Sequence, residues 1–152
     1  MDSFDRSLPM TLNRALDAVM PPYRELFSRY GLTEQQWRIL RVLWTNDEIT
    51  SVDLSNKTLL AAASLVGIID RLEKKDLVSR VRSTVDRRAI YIVATARSRE
   101  LEAEVSPQVA AIQARVRAIV SEREWAALEK TLRKVASALQ AESGEATQAA
   151  NS

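Results

Sequence analysis

Apolar positions Leu8, Leu12, Ala15, Leu16, Val19, Tyr23, Leu26, Phe27 and Tyr30 recur at helical spacing, which predicts an amphipathic helix over residues 8–30. Pro21-Pro22 falls inside this pattern. Proline lacks a backbone donor and crowds the preceding turn, so a kink or restart is expected near Met20, with Gly31 as the stop. Thr33-Glu34-Gln35-Gln36 has capping-box spacing, followed on one face by Trp37, Leu40, Leu43 and Trp44, so a second helix is expected from about Glu34 to Trp44. Thr50-Ser51-Val52-Asp53 repeats the capping logic and opens a short third helix through about Lys57.

From Ala61, Leu65, Ile68, Ile69 and Leu72 form one stripe, while Ala62, Ala63, Val66, Gly67 and Arg71 lie on other faces. A solvated helix face normally carries Glu and Lys, so a small, uncharged outer side at the start of this fourth helix suggests that something large comes close. Two β-rich runs follow, Leu77–Arg82 and Ala89–Val93, flanking the polar Ser83–Arg88, and these predict a hairpin. Arg80 and Arg82 share one face of its first strand and Val81 takes the other. Thr95 is placed to cap the next helix, over residues 96–120, where Pro107 leaves either two segments or one kinked helix. Ser121–Glu124 is another capping box, opening a last helix with Trp125, Leu128, Leu132, Val135 and Leu139 on one stripe. A frayed tail is expected after about Ala141.

Composition narrows the chemistry. With 152 residues, 46% apolar, the chain is sized for one domain with a real core, residues 1–152. It has no Cys and no His, which excludes disulfides, thiolate nucleophiles, Ser-His and Cys-His catalysis, Cys/His zinc sites and imidazole switches. No apolar run is long enough to span a membrane, and Asp2, Asp5, Arg6, Arg14 and Asp17 stand where a signal peptide is apolar. A soluble cytoplasmic protein with no membrane partner is expected. No cofactor is implied.

Net charge is only +2, but Arg71, Lys74, Lys75, Arg80, Arg82, Arg87 and Arg88 crowd one stretch against Glu73, Asp76 and Asp86. Most cations are Arg, the residue best suited to flat, forked contacts with phosphate and base edges.

Three short helices followed by a β-hairpin is the order of a winged helix-turn-helix, in which the third helix enters a major groove and the hairpin reaches the backbone or minor groove. The expected fold is therefore mainly α (α+β), a lobe over about 32–95 with a two-stranded wing. Helices over about 5–30 and 96–141 flank it. Ala62, Ala63, Val66 and Gly67 would let the helix approach base edges, and Ser64 can bond bases or phosphate. A helix packed on both sides would also favour Ala and Gly, so that helix alone leaves both readings open. The tip Asp86-Arg87-Arg88 favours DNA, since a narrow minor groove attracts a protruding Arg. Candidate contacts are Lys57, Ala62, Ala63, Ser64, Val66, Gly67, Arg71, Arg80, Arg82, Asp86, Arg87 and Arg88.

Leu72-Glu73-Lys74-Lys75-Asp76-Leu77-Val78-Ser79-Arg80 followed by Asp86-Arg87-Arg88 resembles the recognition-helix end and wing of MarR-type transcriptional regulators. Leu32-Thr33-Glu34-Gln35-Gln36-Trp37-Arg38-Ile39-Leu40-Arg41 is similar to the branch repressing homoprotocatechuate (4-hydroxyphenylacetate) degradation operons. The resemblance implies a homodimeric repressor of double-stranded DNA with a pseudo-palindromic operator. Its terminal helices would form the dimerisation region, with an effector pocket between them and the DNA-binding lobe. It assigns Asp86 to orienting the wing, Arg88 to the minor groove and Ser64 to DNA contact. The chain departs from the family pattern at Val66, where a hydroxyl is common, at Asp76, which replaces a frequent Gly, and at Ala94-Thr95-Ala96-Arg97-Ser98.

Without Cys or His, oxidant and zinc sensing are closed to it, which leaves a small organic effector; the branch resemblance points to an aromatic acid. Trp37 is a candidate for stacking on the ring, and Arg14, Arg38 and Arg41 for the carboxylate. A Trp on an apolar stripe is more often a core residue, and an Arg on a helix is more often simply solvated. The rival reading is a helical dimeric interaction module without specific DNA binding. An enzyme is not expected, since there is no Gly-rich phosphate loop, nucleophile elbow or paired acid/base arrangement.

Overall fold

The computed structural model describes residues 7–86 and 88–150, with side chains through Ala141. The order is α1 (Leu8–Arg29), α2 (Glu34–Trp44), β1 (Ile49–Thr50), α3 (Ser51–Thr58), α4 (Ala62–Lys74), β2 (Val78–Arg82), β3 (Ile90–Ala94), α5 (Ala96–Arg117) and α6 (Glu122–Ala150). The chain forms two compact units, Met1–Ile112 and Gln113–Ser152.

The caps work as the sequence pattern predicts. Thr33 Oγ1 accepts from the Gln36 N–H at 3.1 Å and Gln36 Oε1 accepts from the Thr33 N–H at 3.1 Å, closing the capping box of α2. Thr50 Oγ1 accepts from the Asp53 N–H at 3.2 Å, and Thr95 Oγ1 from the Ser98 N–H at 3.1 Å. Gly31 adopts φ +64° and lets the Leu32 N–H reach back to the Phe27 carbonyl at 2.9 Å, ending α1 in a Schellman turn.

The core of the first unit joins Leu26 and Phe27 of α1 to Trp37, Ile39, Leu40, Leu43 and Trp44 of α2. Leu54, Leu65, Ile68, Ile69, Leu72, Ile92 and Val105 complete it. Burying each such side chain contributes about 1.5–3 kcal/mol. The buried Trp44 Nε1 donates to Ser98 Oγ at 2.9 Å, and Arg99 Nη1 donates to the Trp44 carbonyl at 2.7 Å, fastening α5 to the end of α2. None of the described side chains of α6 is buried.

Four expectations are resolved by the fold. Of the kink or restart expected near Met20, the restart is absent: α1 is one helix through Pro21-Pro22, held to the core on both sides of the pair by Met20, Tyr23, Leu26 and Phe27. Of the two readings left open at Pro107, a single helix is found: α5 continues across it, with Val105 and Val109 both buried. The two-stranded wing forms as expected, β2 pairing with β3, and its sheet gains a third strand. Ile49 and Thr50 pair with Ile92 and Tyr91 of β3, giving an antiparallel sheet in the order β1-β3-β2. A two-residue strand has no period of its own and is defined only by its partner. Finally, the backbone beyond Ala141 is helical through Ala150, in line with the helix preference of its Ala, Glu and Gln residues.

Candidate nucleic-acid interface and effector pocket

Helix α4 divides cleanly. Leu65, Ile68, Ile69 and Leu72 face the core, while Ala62, Ala63, Ser64, Val66 and Arg71 are exposed; Val66, a β-branched apolar residue, is 56% exposed. The small stripe is therefore an open surface rather than a second packed face. Gly67 sharpens this: a Cβ built there meets only Arg71 Nη1, at 3.9 Å, so nothing inside the protein requires glycine. Ser64 is exposed, and its hydroxyl has no hydrogen-bond partner among the described residues. The first turn of α4 also lacks a side-chain cap, its N-cap being Ala61.

The cations differ in their freedom. Among the described residues Arg71, Arg82 and Arg88 are exposed and have no side-chain ion-pair partner. Lys57 is exposed and donates to Asn46 Oδ1 at 2.9 Å. Arg80 is already committed: its Nη2 bonds Asp70 Oδ1 at 2.7 Å and its Nη1 pairs with Glu73, tying β2 to α4. The sequence pattern grouped Arg80 with the DNA contacts because it alternates with Val81. The acidic residues that occupy it sit one helix earlier, spaced to face the strand. Asp86 orders the wing tip through the backbone, its Oδ1 accepting from the Arg88 N–H at 3.0 Å while its carbonyl accepts from the Ala89 N–H at 2.9 Å. Arg87 lies outside the described residues.

A second concavity, of about 280 Å³, lies between α1 and α2, lined by Leu16, Met20, Tyr23, Phe27, Glu34, Trp37, Arg38 and Arg41. That volume is at the small end of ligand sites and suits a single-ring compound. Of the four residues expected at an effector site it gathers Trp37, Arg38 and Arg41. Arg14 lines a different depression with Met10, Asn13, Leu16, Asp17 and Arg24, on another face of α1 that meets the α1–α2 pocket only at Leu16. Trp37 fills both roles weighed for it: only 8% exposed, it stacks on Phe27 with centroids 4.6 Å apart and meets Trp44 edge-on at 5.1 Å, yet still lines the pocket. Arg38 Nη2 pairs with Glu34 at 3.2 Å, and Arg41 has no ion-pair partner among the described residues. The sequence pattern missed Glu34 and the α1 wall; only the facing of the two helices brings them in.

A solvent-facing small-residue helix beside a cation-bearing hairpin defines a winged helix-turn-helix DNA-binding protein. Residues 32–90 match the model of the MarR family. The chain is 35% identical over 103 residues to the HTH-type transcriptional regulator FarR of Neisseria gonorrhoeae, covering 68% of this chain and 70% of that one. It is equally similar, 35% over 103 residues with the same coverage, to the homoprotocatechuate degradative operon repressor of Escherichia coli. Among solved structures it resembles NadR in complex with 4-hydroxyphenylacetate, with a TM-score of 0.78 and 29% identity over 89% of this chain and 98% of that one. The chain belongs to the MarR family and is a DNA-binding transcriptional regulator. Nothing in these likenesses supports the interaction-module reading. Among the described residues no single helix is long and apolar enough to cross a membrane.

Proposed function

We propose that this protein is a homodimeric repressor that reads a pseudo-palindromic operator and releases it on binding a small aromatic carboxylate. The observation carrying the DNA part is the exposed methyl and hydroxyl stripe of α4, Ala62 to Gly67, beside Arg71, Arg82 and Arg88, whose guanidinium groups have no ion-pair partner among the described residues. Methyl groups meet thymine methyls, Ser64 bonds a base edge or phosphate, and the wing Arg enters the neighbouring minor groove. Two protomers present their α4 helices about one helical turn, roughly 34 Å, apart.

The dimer reading rests on exposed apolar side chains at both ends of the chain: Leu8, Leu12 and Leu16 on α1, and Ile119, Leu128 and Leu139 later. A described α6 without one buried side chain is not stable alone, and a second copy supplies its missing apolar partner.

The effector reading rests on the pocket between α1 and α2. Its aromatic wall of Tyr23, Phe27 and Trp37 takes a ring, and Arg41 takes the carboxylate through paired hydrogen bonds. That one relative represses homoprotocatechuate degradation and a structural neighbour holds 4-hydroxyphenylacetate supports an arylacetate as first choice. The test is a footprint on the DNA upstream of its own gene, repeated with 4-hydroxyphenylacetate. Protection of a two-fold symmetric site that the acid abolishes is expected. Protection unaffected by any aromatic acid overturns the effector part, and no protected site overturns the operator part.

A further inference from the structure

Arg38 reaches two places at once. It lines the pocket between α1 and α2, where Nη2 pairs with Glu34 Oε1 at 3.2 Å, and its Nη1 donates to the backbone carbonyl of Thr58 at 3.3 Å. Thr58 is the last residue of α3, fully buried, with its hydroxyl bonded to the Leu54 carbonyl at 2.6 Å. Its own carbonyl is one of those a helix end leaves without an intrahelical partner, so Arg38 satisfies it. Leu59 follows in the left-handed region at φ 57°, and α4 starts at Ala62. The corner that sets the angle of α4 against α3 is thus tied to the effector pocket by one charged arm.

We propose that Arg38 is the positioning residue through which pocket occupancy reaches α4. This rests on the effector reading above. Both Arg38 contacts are long for charge-assisted hydrogen bonds, and its side chain is 43% exposed, so water weakens the pair with Glu34. A ligand carboxylate resting against Tyr23 and Trp37 is drier and offers two oxygens to a planar guanidinium. Arg41, three residues further along the same helix, anchors the acid. Arg38 swings to it and leaves the Thr58 carbonyl. The corner then loses its tether, and α4 spends less time at the angle that fits DNA.

The test uses the full chain, a duplex from upstream of its own gene, and three acids: benzoate, phenylacetate and 4-hydroxyphenylacetate. Calorimetry establishes saturation, and DNA affinity is measured without acid and at saturation. The wild type is expected to lose affinity by a factor within the typical allosteric range, about 5 to 150. Arg38→Gln is expected to bind acid but to show a ratio near one, its acid-free affinity already resembling that of the acid-loaded wild type. Arg41→Gln needs more acid yet keeps the wild-type ratio once saturated. If Arg38→Gln keeps the wild-type ratio at saturation, the relay is overturned while the pocket stands. If Arg38→Gln binds none of the acids, Arg38 is the ligand's anchor and the relay is again overturned. If the wild type binds none of them, the pocket reading fails and the relay with it.

Discussion

Gly67 sits in the middle of a helix, where glycine is about 1 kcal/mol worse than alanine, and its surroundings leave room for a methyl group. No contact inside the protein calls for a residue that weakens its own helix here, and the proposed approach of the α4 backbone to DNA supplies a reason for it. Gly67→Ala is therefore expected to stabilise the fold by about 0.5–1 kcal/mol, raising Tm by about 1–4 °C, while weakening operator binding. Thermal melts and gel shifts on one preparation check both halves; a more stable variant with undiminished affinity removes Gly67 from the interface. The wing tip makes the opposite contrast. Arg88 is exposed in a turn that buries little, so Arg88→Ala should leave Tm within a degree or so and weaken operator binding, by about 1–3 kcal/mol if it makes a good groove contact. Unchanged affinity excludes the minor-groove role.

At the level of elements, side chains that close caps were legible in the sequence because the chemistry is local. Ser121 and Glu124 show this: the Ser121 N–H and hydroxyl both donate to Glu124 Oε2, at 2.8 and 2.7 Å, and Ser121 Oγ accepts from the Glu124 N–H at 3.3 Å. The Ser121 hydroxyl, then its backbone N–H, hold the Glu124 carboxyl below its ordinary value of 4.5. A carboxyl lowered on folding contributes stability above its unfolded value and loses it as pH falls through the folded one. The start of α6 should therefore fray from about pH 4.5 downward, and Ser121→Ala should return the Glu124 titration, followed by NMR, to the ordinary range. A titration unmoved by that substitution rules out the cap as the cause. The faces of α2 and α4 were legible for a similar reason, since burial follows the helical period. What was not legible depended on distant partners. β1 exists only because Ile92 and Tyr91 lie opposite it, the commitment of Arg80 required Asp70 and Glu73 to face β2, and Arg14 fell outside the pocket because the face of α1 turned to α2 carries Leu16, Met20, Tyr23 and Phe27 instead. The basic stretch and the Asp86-Arg87-Arg88 tip pointed to DNA before the family resemblance was drawn, whereas the stripe of small residues alone fitted a bundle equally well.

For the whole molecule, the number of protomers on DNA and the number of phosphates neutralised are linked, and salt separates them. If Arg71 and Arg82 of each protomer reach phosphates, a dimer makes about four such contacts, and affinity should fall about a hundredfold between 50 and 200 mM salt. Each contact removed lowers the slope of log affinity against log salt by about 0.9. Arg82 stands exposed at the end of β2 and has no ion-pair partner among the described residues, so Arg82→Ala leaves the fold alone and subtracts only its phosphate contact. The slope should then drop by about two if two copies grip the operator and by about one if a single copy does, with affinity reduced alike for operator and random duplex. A drop near two agrees with a sedimenting species twice the 17.0 kDa chain mass. A drop near one, or a 17.0 kDa species at micromolar concentration, breaks the two-fold arrangement while leaving each winged helix intact, and no drop removes Arg82 from the phosphate contacts.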